Sequence, residues 1–149
     1  MSYCTVQQLL DLFGEDSVYT AADRDRDNVL DTDALDLRLA TATDEVNSYL
    51  IKHYATVLPL DPVPPVIVEA TGTIALYKLS HTAGLVTEEQ RKRYEDTITF
   101  LSKLASGQAQ LDIDVPEGET APGEIKGGSI LGEDNPERVF TRKRTQGLL

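Results

Sequence analysis

With 149 residues, 40% of them hydrophobic and 6% aromatic with no Trp, the chain can bury one compact domain and carry an appendage. Its 25 acidic residues against 14 basic ones leave a net charge of -11, which repels nucleic-acid phosphates and anionic lipid and argues against tight binding to either. Cys4 is the single cysteine, so no intrachain disulfide can form and a structural zinc site built on cysteines is excluded.

In chain order, the first helix is announced by Thr5-Val6-Gln7-Gln8, a capping box in which Thr5 caps and Gln8 reaches back. Val6, Leu9, Leu10 and Phe13 fall on one side of it, and Gly14 is suited to end it. A shorter turn or helix is expected through Ser17-Val18-Tyr19-Thr20. The polar run Asp23-Arg24-Asp25-Arg26-Asp27-Asn28 reads as a loop. From about Thr32 to Tyr54, Leu35, Leu39, Ala42, Val46, Tyr49, Leu50 and His53 recur at steps of three and four, the stripe of a long amphipathic helix. Asp31, Asp33 and Asp36 crowd its start, where the helix dipole favours negative charge.

The prolines of Leu58-Pro59-Leu60-Asp61-Pro62-Val63-Pro64-Pro65 predict an extended connector, with Pro64 or Pro65 in the first turn of a fourth helix. That helix is apolar on two faces: Ile67, Ala70, Ile74 and Tyr77 on one, Val68, Gly72, Ala75 and Leu79 on the other. Such a helix belongs between neighbours at the centre of a bundle, and a close helix crossing would account for Gly72. Thr87-Glu88-Glu89-Gln90 is a second capping box, opening a fifth helix that ends at Gly107. Its inward stripe is Tyr94, Ile98, Leu101, Leu104 and Ala105, with Phe100 off the stripe and available as an exposed contact point.

Past Gly107 the pattern changes. Leu111-Asp112-Ile113-Asp114-Val115 alternates with period two and reads as a short strand, as does Arg138-Val139-Phe140-Thr141. Between them, residues 116–136 are rich in Gly, Glu and Pro and lack periodicity. The expected architecture is mainly α: a bundle of about four to five helices over residues 1–107, and an extended arm over 108–149 carrying short β segments.

Three groups of residues are candidates for function. Asp23-x-Asp25-x-Asp27-Asn28-x-Leu30-Asp31 copies the opening of an EF-hand loop, so Asp23, Asp25, Asp27 and Asp31 form a weak metal candidate. Ala34 stands where the bidentate Glu of such a loop belongs, which favours an acidic loop capping a helix over a cation site. His53 and His81 have no Cys or His partner at ligand spacing and are expected to be structural. The patterns GxGxxG, the P-loop, GxSxG and HExxH are absent, so the expectation is a protein that is not an enzyme, with no catalytic residue and no cofactor. The third group is Arg138, Val139, Phe140, Arg142, Lys143 and Arg144, a basic, strand-forming segment tethered to an acidic body. It reads either as a solubilising terminus or as a segment that docks on another chain, and docking is the preferred reading.

Taken together, Met-Ser-Tyr-x-Thr-x-x-x-Leu-x-x-x-Phe-Gly at the start, the Asp23-Arg24-Asp25 loop, Ser48-Tyr49-Leu50, Pro64-Pro65, Arg93-Tyr94-Glu95 and Arg138-Val139-Phe140-Thr141-Arg142 resemble the small neck proteins of Mu-like tailed bacteriophages. The resemblance covers nearly the whole chain. It implies a head–tail adaptor, a structural virion protein forming a ring of about twelve copies that docks on the portal and meets the next neck or tail-completion protein. DNA would pass through that ring without sequence-specific binding, and an acidic lining would help it pass. The family pattern ends in an aromatic where this chain has Leu148-Leu149. The rival expectation is a calcium-responsive protein-binding module using the Asp23–Asp31 loop. With no signal-peptide pattern at the start and no stretch approaching the roughly 20 apolar residues of a membrane span, the chain is expected in the host cytoplasm during assembly and then in the virion neck, without membrane contact.

Overall fold

The computed structural model describes residues 1–23, 27 and 29–114. Within them the chain forms five helices: α1 (Val6–Phe13), α2 (Glu15–Ala22), α3 (Thr32–Tyr54), α4 (Pro65–Ala83) and α5 (Glu88–Ser106). The basic segment 138–144 and the strand expected at 138–141 lie outside the described residues.

Both capping boxes are present. The Thr5 hydroxyl accepts the Gln8 N–H at 3.2 Å while the Gln8 side chain accepts the Thr5 N–H at 2.9 Å, and Thr87 and Gln90 repeat the exchange for α5. Each box satisfies two of the donors that a helix start leaves open. Gly14 both closes α1 and opens α2, at φ 80, a conformation that costs glycine nothing. The short turn or helix expected through Ser17–Thr20 is a helix of eight residues, with Glu15 and Asp16 in its first turn and Val18, Ala21 and Ala22 buried. α3 has the bounds its apolar stripe predicts, and Leu35, Leu39, Ala42, Val46 and Leu50 are all buried.

α4 starts with Pro65 at its first position and packs against each of the other four helices. Its two apolar faces explain this. Ile67, Ala70 and Ile74 are buried on one, and Gly72, Ala75 and Leu79 on the other. At Gly72 a Cβ would lie 2.9 Å from Phe13 Cε2 and 3.3 Å from Leu9 Cδ1, so α1 crosses α4 where a side chain would hold it off. α5 lies across α3 and α4 through Leu101 and Leu104. Phe100 is half-buried and packs against the core, so it is not the exposed contact point expected from its place off the stripe. The stripe is wider than a strict heptad seam because α5 rests on two helices at once.

Long-range side-chain bonds tie the segments flanking the helices to this frame. Tyr3 sends its hydroxyl to Asn47 Oδ1 and accepts the buried N–H of Leu60 at 3.1 Å, pinning both the N-terminus and the proline connector to α3. The Tyr3 N–H reaches Thr43 Oγ1 at 3.1 Å. His53 Nε2 lies 3.1 Å from the Ala105 carbonyl oxygen, joining α3 to α5. After α5 the Leu111 N–H donates to the Tyr54 hydroxyl at 2.9 Å, and Leu111 is buried, Asp112 exposed, Ile113 half-buried and Asp114 exposed. The predicted alternation is there, but residues 111–114 form no strand. Their backbone runs along the helical body and bonds to a tyrosine, and a strand needs a neighbouring strand to pair with.

Candidate functional site

The acidic loop uses its carboxylates to fold itself. Asp23 Oδ1 accepts the Asp27 N–H at 3.2 Å, and Asp27 Oδ1 accepts the Val29 N–H at 2.7 Å. These are turns of the kind short acidic side chains make with the backbone ahead of them. Asp31 stands at the N-cap of α3, and Asp25 lies outside the described residues. Ala34, at the place of the missing ligand, sits in the first turn of α3. Among the described residues no three His, Cys, Asp or Glu side chains come together in a way that could hold a metal ion. Of the two histidines, His53 bonds to α5 as described, while His81 is exposed with its ring 6.1 Å from that of Tyr77.

A polar seam joins α3, α4 and α5 on one side of the body. Lys78 pairs with Glu45, and Tyr94 donates to the other oxygen of the same carboxylate at 3.5 Å. The Tyr77 and Tyr94 rings stack with centroids 4.2 Å apart and planes 12° from parallel. Burial, and secondarily the Glu45 charge, push the Tyr94 phenol above its ordinary range. Lys78, Glu45 and Tyr94 are partnered across three helices, so the seam's role is to hold those helices in register.

The open feature of the body is a groove of about 510 Å³ between α2, the start of α3 and the end of α4. Tyr19 and Ala21 form one wall, Leu37 and Arg38 the second, and Leu79 with Leu85 the floor and far edge. Arg38 donates to Thr82 Oγ1 at 3.1 Å and Thr82 in turn to the Lys78 carbonyl at 2.9 Å, which ties α3 to α4 at this end of the groove. Leu37 is 67% exposed, Leu85 48% and Tyr19 38%, an unusual share of large apolar surface for one end of a chain so charged. Sequence reasoning misses this site. Leu37 lies off the buried stripe of α3, and the signal that could have found it is an apolar residue between Asp36 and Arg38 on the polar side of a helix.

Comparison with known proteins places the chain among phage proteins. The family described as Bacteriophage Mu, Gp36 matches residues 3–128. The Mu-like prophage FluMu protein gp36 of Haemophilus influenzae is 37% identical over 100 residues, which cover 64% of this chain and 68% of that protein.

Proposed function

The chain belongs to the family described as Bacteriophage Mu, Gp36, and from that premise we propose that it is a structural protein of the phage neck, a head–tail adaptor acting by protein contact and not by catalysis. Its copies form a ring that docks on the portal and receives the next neck or tail-completion protein, and DNA passes through the acidic ring without being held. The observation that carries this reading is how the body divides its polar and apolar groups. Tyr3, Glu45, His53, Tyr54, Lys78 and Tyr94 are engaged in joining the protein's own helices. Leucines and other large apolar side chains, Leu12, Leu37, Ile51, Val66 and Leu85 among them, stay on the outside. A body built this way offers surfaces to other proteins. Repeating one such contact between unlike faces until it closes makes a ring.

The test is to mix the purified protein with portal rings and image the mixture, and to delete residues 138–149 in the phage that encodes the chain. Ring-on-ring complexes with the portal are expected from the intact protein. The truncated protein should keep its helical circular dichroism, because the buried stripes of all five helices end before residue 107, yet infected cells should accumulate heads without tails. Infectious tailed particles at normal yield from a phage lacking the whole protein would overturn the reading.

A further inference from the structure

The groove between α2, α3 and α4 mixes exposed apolar side chains with Asp23 and Arg38 in its lining, and further carboxylates stand around it. Exposed Glu15 and Asp16 lie on α2, exposed Asp33 sits one turn before Leu37, and Asp23 is on the wall itself. A second hollow of about 260 Å³ adjoins the groove, with Thr20, Ala21 and Leu85 lining both and Asp16 on its side. Over residues 15–38 the sequence carries eight carboxylates against three guanidiniums. Few surfaces suit such a groove: an occupant needs apolar side chains for Leu37, Leu79 and Leu85 and positive charge for the rim.

This chain supplies that chemistry. Residues 138–149 contain four basic residues and no acidic one, and Val139 and Phe140 sit between Arg138 and Arg142. We propose that residues 138–144 of one copy dock in the α2–α3–α4 groove of a second copy, with Phe140 against Leu37 and Leu85 and the flanking arginines over the acidic rim. A second copy is the occupant the ring reading calls for, and the placement of the two ends lets one copy pass its segment to the next. The described residues end at Asp114, three past Leu111, whose N–H is bonded to Tyr54 at the end of α3. The groove lies at the start of α3, and 17 residues of helix from Leu37 to Tyr54 span about 26 Å. From Asp114 to Phe140 the backbone can reach about 85 Å at most, ample for a neighbouring body. Donor and acceptor at opposite ends make a head-to-tail contact, the kind that closes into a ring. The inference rests on the ring reading above and names the contact that would build it.

The experiment places a photoreactive benzoylphenylalanine at position 140 of the full-length protein. Heavy- and light-isotope chains are mixed at high concentration, irradiated and analysed by mass spectrometry. Crosslinks between heavy and light chains, landing on peptides that contain Tyr19, Leu37 or Leu85, are expected. They should disappear in Leu37→Glu with Leu85→Glu, two exposed positions whose change leaves the core untouched, and they should weaken with added salt. Crosslinks within single copies only, crosslinks to another face of the body, or none at all would overturn the proposal. Rings seated on portals without groove crosslinks sink this inference alone. Groove crosslinks without any portal complex leave it standing and count against the neck reading.

Discussion

Replacing Gly72 by leucine puts four carbons where α1 and α4 now touch. The first of them, the Cβ, already falls 2.9 Å from the Phe13 ring, 3.3 Å from Leu9 and 3.6 Å from the Cys4 sulfur. Leu9 and Cys4 are fully buried and have little room to move, whereas Phe13 is half-buried and can swing outward. Overpacking of this kind costs about 1–3 kcal/mol, and here the upper end applies because two of the three neighbours can yield little. Helix propensity works the other way, since leucine is better than glycine inside a helix by about 1 kcal/mol. The net is a loss of about 2 kcal/mol, or about 8 °C in midpoint at roughly 4 °C per kcal/mol for a body of this size.

Gly72→Ala carries the same propensity gain and asks the Phe13 ring to swing and Leu9 to yield by a few tenths of an ångström, so its net effect should stay within about 1 kcal/mol of zero. Thermal unfolding of both variants, alone and combined with Phe13→Ala, checks the reasoning. With the ring gone, leucine at position 72 should cost less than in the intact protein by more than about 0.5 kcal/mol, the scale on which neighbours fail to add. An unchanged midpoint for Gly72→Leu, or an equal cost in both backgrounds, would refute the close-crossing account.

Tyr3→Phe leaves the buried N–H of Leu60 without its acceptor, so stability should fall by about 1–3 kcal/mol and the Leu60 amide should exchange faster in deuterium oxide. Burial lifts the Cys4 thiol from 9.0 to about 11, so in the native protein at pH 8 a thiol reagent should label it far more slowly than after addition of denaturant. Because that folded value is the higher one, the thiol's contribution to stability is whole below 9.0 and is lost as the pH climbs through about 11, which a denaturation series in that window would show. Millimolar calcium should change neither helicity nor midpoint, since Asp23 and Asp27 accept backbone N–H groups and Ala34 offers no ligand; micromolar binding in a calorimeter would contradict this.

What was legible in the sequence was what repeats locally. The bounds of α3 follow from an apolar stripe at steps of three and four, those of α1 and α5 from capping boxes, and the central position of α4 from its second apolar face. Each signal lies within a few residues of what it specifies. The tyrosine hydroxyls of Tyr3 and Tyr54 hold backbone 57 residues away in each case, and no periodicity announces such a bond. Residues 111–114 show the reverse failure. Their alternation is real and their burial follows it, yet alternation describes any extended segment lying on a surface, paired or not. The groove was hidden because it is made by what three helices leave uncovered between them.

The residues that carry the family resemblance are, in the described part of the chain, mostly fasteners. Ser2 donates to the Cys4 carbonyl at 3.0 Å, Tyr3 clamps two segments to α3, Thr5 caps α1, Gly14 turns the chain into α2, Leu50 is buried in α3 and Tyr94 joins the polar seam. They specify how five short or medium helices make one body, and the proposed ring would need such bodies to be rigid, because small angular errors between neighbours add around its circumference. The contacts that join one body to the next make a different demand. They must stay harmless while the protein is alone and engage only when copies gather. In the proposed ring, an acidic surface interrupted at one end by a groove with exposed leucines would meet that demand by charge and shape together. Repulsion between bodies would set the resting state, and docking of the basic segment with its one aromatic would overcome it at a single place.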